Sequence, residues 1–410
     1  MLPSRLVLGL CLVAVSIKVF SGPLVMLEMQ DLSTVKTHLQ NQTAATDTLK
    51  AYELLIKRAN DALYLGGYSV VDKSILPPSN DPHDYLSISR YWWPDSSKSD
   101  GLPWVRRDGI NNPDTQTDSV DRKRLGAMSQ SVQVLALAYY FSGDEKYALK
   151  GTELIRRWFL KPETKMNPHL EFAQSVPGKN IRRRSGILDG RLIPAKLLDG
   201  ITLLSSSSHW SKQNDKEMNL WLNSYLDWLT SSELGREGAK QTNNHGSWYY
   251  YQVAALSWYL GDNTGLAKAV QNTKVHMLQQ FDEQGAQHHE LARTRPYFYS
   301  CFNLEALTNI AAIAKKVNID LWKYATANQG ILKTAVEYLI PAAKGESWPH
   351  GNKAIKATDL IEILDRYNQD SGEPSQQTLL TQLLQQAKAS KGDSSMYYRF
   401  VLLNPQALLE

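Results

Sequence analysis

The sequence predicts an all-α protein built from helical hairpins. Three observations carry that prediction. Apolar residues recur at helical spacing through most of the chain. A Gly-Asp stop recurs after two similar runs, residues 136–142 before Gly143-Asp144 and residues 255–260 before Gly261-Asp262. No stretch alternates apolar and polar residues for long enough to form a sheet.

Residues 2–22 read as an export leader. Arg5 precedes the apolar run Leu6 to Val15, and small residues stand at Ser21 and Gly22. Ser16 and Lys18 break that run short of a membrane span. The expectation is a signal peptide over 1–22, a single domain over 23–410 and a periplasmic or secreted protein. Removing the leader takes Cys11 and leaves Cys301 alone, so no intramolecular disulfide can form.

The first hairpin-forming helix is expected over Thr46 to Leu65, with Leu49, Tyr52, Leu55, Ile56, Ala59 and Leu63 on one face. Ser119 to Phe141 and Glu145 to Leu160 form the next pair. Gly143 ends the first helix, and Asp144 caps the second. The Gly261-Asp262 junction repeats the unit, and a looser copy runs from Leu304 through Asn318 to Leu339. Such hairpins cannot bury their apolar faces alone and must stack. An open solenoid and a closed (α/α) toroid both satisfy the pattern.

Two segments interrupt the helical rhythm: Pro77 to Asp114, rich in Pro, Asp, Gly and Trp, and Lys161 to Ser185, rich in Pro, Asn and Arg. Long irregular loops in a compact domain are usually functional.

The 410 residues carry 45 Lys and Arg against 41 Asp and Glu, a net charge of +4 that falls to about +2 without the leader. That is too small for a dedicated nucleic-acid binder. The charge is uneven, however. Arg156 to Lys196 holds ten cations against Glu163, Glu171 and Asp189, enough to steer a polyanion. The 11 Trp and 20 Tyr outnumber the 8 Phe. Most of these rings belong in helix packing. Some, at 85–104 and 248–251, are expected to line a cleft where rings stack on sugars.

Three clusters could carry chemistry. Asn243-Asn244-His245-Gly246-Ser247-Trp248 puts amides and an imidazole at a loop-to-helix junction. Glu290 to Ser300, which follows His288 and His289, pairs carboxylate-binding Arg293 and Arg295 with proton-carrying Tyr297 and Tyr299. A Tyr beside a guanidinium is expected to have a lowered pKa. The third cluster runs from Asp84 through Tyr85, Arg90, Tyr91, Trp92 and Trp93 to Asp95 and continues over 101–109 with Trp104, Arg106, Arg107 and Asp108, where aromatics interleaved with Arg could hold acidic sugars. There is no phosphate loop, nucleophile elbow or zinc motif, so neither cofactor nor metal is expected.

Tyr-Trp-Trp-Pro-Asp at 91–95, the run 101–109, Asn-Asn-His-Gly-Ser-Trp-Tyr at 243–249 and the run 293–300 together resemble the alginate lyase superfamily of polysaccharide lyases. The resemblance covers about Asp84 to Leu307. It implies an (α/α) toroid or incomplete barrel and β-elimination on a uronic-acid polymer such as mannuronate-rich alginate or glucuronan. It also assigns catalytic roles to Asn244, His245, Tyr299 and an arginine. Arg293 is preferred, with Arg295 in reserve, because the Arg-to-Tyr spacing is one residue shorter than in better-known members. Tyr85 corresponds to a substrate-side Tyr on a lid loop. Arg90, Trp92, Trp93, Arg106, Arg107, Asn243, Trp248 and Arg295 are expected to bind the anionic polysaccharide. Two other readings keep the same toroid: a non-catalytic sugar-binding protein, which does not require Tyr299, and a glycoside hydrolase, which needs two facing carboxylates.

Overall fold

The structure is a computed structural model. It describes residues 22–179, 182–326, 329–350, 355–372 and 376–405. The expected signal peptide lies, except for Gly22, outside the described residues.

Three helices are apolar nearly all round: Arg122–Ser142, Asn244–Leu260 and Pro296–Lys315. A helix without a polar face must be surrounded by protein, and these form the inner wall. Their neighbours Glu145–Ile155, Lys212–Ser231 and Asn263–Gln280 bury only a stripe and form the outer layer. Each inner helix packs against an outer partner and against the next inner element. The C-terminal helix Ser394–Leu403 packs on Thr46–Leu63, which in turn packs on Arg122–Ser142. The two ends of the described chain therefore meet, and the architecture is an (α/α) toroid rather than an open solenoid. One continuous apolar core runs through it.

The expected punctuation is present. Gly143 and Gly261 both end helices at φ +74°, where a side chain would be strained. Asp144 accepts from the Lys146 amide, and Asp262 accepts from the Gly265 amide. The predicted Glu145 to Leu160 helix is α-helical to Ile155 and finishes as a π-turn over Arg156–Leu160. In the looser third copy, Asn318 takes the left-handed conformation after Lys315.

The two irregular segments meet across the top of the toroid. Leu86–Ile88 pairs in parallel with Phe172–Ser175. Trp92–Trp93 pairs antiparallel with Val105–Arg106, making a short hairpin. Leu86, Ile88 and Val120 form a small satellite core beneath them, with Trp104 and Phe172 against it. These pairings are too short to show as alternation in the sequence.

The N-terminal segment is tied to the ring. The buried Asp199 carboxylate accepts from the amides of Val25, Met26 and Leu27 at 2.5, 3.0 and 2.9 Å. No described helix is long and apolar enough to cross a membrane.

Candidate active site

The helix Asn244–Leu260 begins at the candidate site. The Asn243 side chain accepts from the His245 amide at 3.0 Å and caps that helix. Gly246 follows because nothing larger fits: a Cβ there would lie 2.0 Å from the Gln241 carbonyl oxygen and 2.5 Å from His276. Asn244 is buried and held at two points by Glu290. Its backbone amide and its Nδ2 donate to the two carboxylate oxygens, each at 2.7 Å. Burial raises the Glu290 pKa against the lowering effect of those bonds. Next to this, His245 is pushed down to about 3, first by burial and then by Arg184, Arg293, Arg183 and Arg106. The imidazole is therefore neutral at neutral pH.

The second wall is the start of the helix Pro296–Lys315. Pro296 opens it at the first position, where its missing N–H costs nothing. Tyr299 falls one turn in and is buried. The Arg293 guanidinium lies 3.7 Å from the centre of the Tyr299 ring. Arg293 is fixed there by Asp108, which accepts from Nε at 3.1 Å and Nη2 at 2.8 Å. Burial raises the Asp108 pKa, but Arg293 and Arg106 outweigh it and the net shift is downward. Gly109, at φ +76°, lets this turn press against Thr294, whose Oγ1 would lie 2.3 Å from any Cβ.

The hairpin supplies the third wall. Tyr299 donates to the Tyr91 hydroxyl at 2.8 Å, and Arg295 donates to the same oxygen at 3.3 Å. Burial, followed by the Tyr91 hydrogen bond, raises the Tyr299 pKa. Arg293 works against that rise without reversing it. The lowered pKa expected from sequence is thus corrected: the guanidinium is present, but desolvation wins. Arg90 is partly buried near Arg122, Tyr91, Asp189 and Tyr299. It makes no ion pair among the described residues.

The sequence matches the alginate lyase family over residues 69–348. The chain belongs to the alginate lyase family. A crystal structure of an alginate lyase from Bacteroides ovatus is 31% identical, with TM-score 0.85, covering 95% of this chain and 100% of that one. Alginate lyase A1-III from Sphingomonas species A1 shares the fold at 17% identity and TM-score 0.50, over 83% of this chain and 86% of that one. A variant of A1-III complexed with tetrasaccharide gives 16% identity and TM-score 0.52, over 82% and 85%. No curated protein sequence matches the chain. The protein is accordingly a polysaccharide lyase.

Several expected substrate contacts in this lyase sit elsewhere. Tyr85 is fully buried, and its hydroxyl donates to Asp189 at 3.1 Å, so it supports the site from below and lines no lid. Asp189 also accepts from Ser87 at 2.6 Å, Arg122 at 2.8 Å and Gln174 at 3.1 Å, and this network anchors both irregular segments. Trp248 is 2% exposed and packs edge-on to Tyr251. With Tyr249, Tyr250 and Tyr251 also buried, the aromatics at 248–251 belong to the core. The reason is position: past the first turn, this inner helix has no free face.

Trp92, Trp93, Arg106 and Arg107 stay on the hairpin near solvent. Cations already cover the rings. Lys179 lies 4.4 Å from the Trp92 ring centre, and Arg107 lies 5.4 Å from that of Trp93. The cations of 156–196 are not all free to steer a polyanion. Arg156 binds Asn214 and the His209 carbonyl, and Arg157 pairs with Asp72. Among the described residues, no group of three or more His, Cys, Asp or Glu is gathered to hold a metal. The sequence put Tyr91 and Asp108 in a candidate cluster without assigning them a role, and Asp189 was missed as a site residue. Tyr91 and Asp108 stand inside the strings that carried the family resemblance, and that was the available signal.

Proposed function

We propose that this lyase cleaves a uronic-acid polymer, mannuronate-rich alginate or glucuronan, by β-elimination and leaves a 4,5-unsaturated uronate end. One observation carries the reading: a buried Tyr299 phenol lies under the Arg293 cation and is hydrogen-bonded to Tyr91. Arg90, which lacks a carboxylate partner among the described residues, takes the sugar carboxylate together with neutral His245. Neutralising that carboxylate makes the C5 proton acidic and stabilises the charge that develops there. Asn244, clamped by Glu290, sets the position of His245. Tyr299 loses its proton to solvent when its hydrogen bond to Tyr91 breaks, and becomes a phenolate that Arg293 and Arg295 stabilise. The phenolate removes the C5 proton, and the resulting phenol returns it to the departing O4. In mannuronate and glucuronate H5 and O4 lie on one side of the ring, so a single residue can serve both steps. The leader-like run 2–22 supports a periplasmic or secreted location for that activity.

The test is to incubate the protein with poly-mannuronate, poly-guluronate and glucuronan and follow the ultraviolet absorbance of an unsaturated uronate. Product is expected from poly-mannuronate or glucuronan. Product from poly-guluronate alone, or from none of the three, would overturn the substrate assignment. Tyr299→Phe is expected to lower kcat by about 10²–10⁴-fold with the fold intact.

A further inference from the structure

A cavity of about 550 Å³ opens between residues 182–185 and residues 237–241. Its walls are Arg182, Arg183, Arg184 and Ser185 on one side and Glu237 and Lys240 on the other. That volume is in the range of small-molecule sites. None of Tyr299, Tyr91, Arg293 or Asp108 lines it, so it is separate from the catalytic cluster.

The charges in this cavity are incompletely neutralised. Arg182 pairs with Glu171 at 2.8 Å. Arg183 donates to the Gln174 carbonyl oxygen at 3.1 Å and leans over the Trp92 ring at 5.3 Å. Arg184 and Lys240 have no ion pair among the described residues. The Ser185 side chain supplies an independent sign of a ligand. Ser185 is 6% exposed, yet its Oγ has no hydrogen-bond partner. A buried hydroxyl is normally satisfied. An oxygen-rich acid entering here would meet the two unpaired cations, and a rotamer turn of Ser185 would bring its hydroxyl to it. The Glu237 carboxylate at the rim can accept from sugar hydroxyls, which suits a hydroxylated acid better than a bare inorganic anion.

The cavity adjoins the catalytic cleft. The Gln241 carbonyl oxygen lies 2.0 Å from where a Cβ on Gly246, the residue after His245, would stand. Gln241 on the cavity wall leads within a few residues to Asn243 and His245.

We propose that this cavity is a distal subsite that binds the carboxylate and hydroxyls of a uronate unit beyond the pair being cleaved. This rests on the uronate-lyase reading above. The subsite makes the enzyme sensitive to chain length. An oligomer long enough to reach the cavity gains contacts with Arg184, Lys240 and Ser185, and a shorter one does not. Because these contacts are equal in the ground and transition states, they act on KM rather than on kcat.

The experiment compares the full-length protein with the Arg184→Ala/Lys240→Ala double variant on uronate oligomers of increasing length. For the wild type, KM is expected to fall once the oligomer is long enough to fill the cavity. The double variant should lose that fall, with KM on long oligomers up about tenfold, kcat unchanged and KM on the shortest substrate unchanged. Ser185→Ala should show a smaller change with the same length dependence, and Arg184→Lys should restore part of the loss. A KM change equal at every length, or no change, overturns the subsite while leaving the lyase reading intact. A wild type that makes no unsaturated product defeats the lyase reading. Binding then decides the subsite: by calorimetry, Tyr299→Phe protein must bind saturated oligouronates more tightly than the same protein carrying the double variant. Equal binding, or no binding by either, removes the proposal.

Discussion

At the scale of single residues, the acidity of Tyr299 controls what the site can do. Burial and the Tyr91 bond raise its pKa, so the phenolate is a minor species at neutral pH. The sign follows directly. A base that must lose a proton before it acts gains activity as pH rises toward its pKa, so kcat/KM should climb by up to about tenfold per pH unit between pH 7 and 9. A flat profile over that range would hand the C5 proton to His245, which is already neutral there. Asp108 has a positioning role. Asp108→Asn should leave Arg293 less firmly seated on the ring and lower kcat about tenfold, within the range for a misplaced catalytic group, with KM little changed. Stopped assays across pH on both proteins measure these effects. The sequence revealed Arg293, Arg295 and Tyr299 as one cluster because they bracket a helix start within seven residues. It could not reveal Asp108 or Tyr91 as their partners, since 185 and 208 residues of chain separate those contacts.

At the scale of elements, the helical hairpins were legible and the loop pairings were not. The Gly-Asp junctions at 143–144 and 261–262 use local backbone rules that hold in any context. The parallel pairing of residues 86–88 with 172–175 depends on two distant loops meeting over the ring. Three or four residues give no usable alternation. The aromatic run 248–251 failed for a related reason: composition says that a ring is amphipathic, and only packing says which side is wet. The start of the helix Asn244–Leu260 is the most sterically constrained point of the site. Gly246→Ala drives a methyl toward the Gln241 carbonyl and His276, and overpacking of this kind costs about 1–3 kcal/mol. Urea unfolding should show that loss. Because the shift also moves His245, activity should drop more than stability alone predicts.

At the scale of the whole molecule, closure of the ring was beyond periodicity, because an open solenoid satisfies the same helical spacing. Contacts between the two ends decide it. Lys388 and Tyr397 both reach Asp47, at 2.7 and 2.5 Å, across most of the chain length. The Asp199 tether does similar work for residues 25–27. Asp199→Ala strands three amides that now share a buried carboxylate, and the expected cost is about 2–3 kcal/mol. Thermal melts should record that loss, and limited proteolysis should cut before Met29 in the variant but not in the wild type. Cleavage of neither protein would show that the segment is held by packing alone. Finally, Tyr91 rides on a surface hairpin while Tyr299 is fixed in the ring wall. An outward swing of the hairpin would withdraw the hydroxyl that keeps Tyr299 protonated. The seating of a surface strand pair and the fraction of phenolate in the ring wall are thus tied through one hydrogen bond, so a substitution that loosens the first also shifts the second.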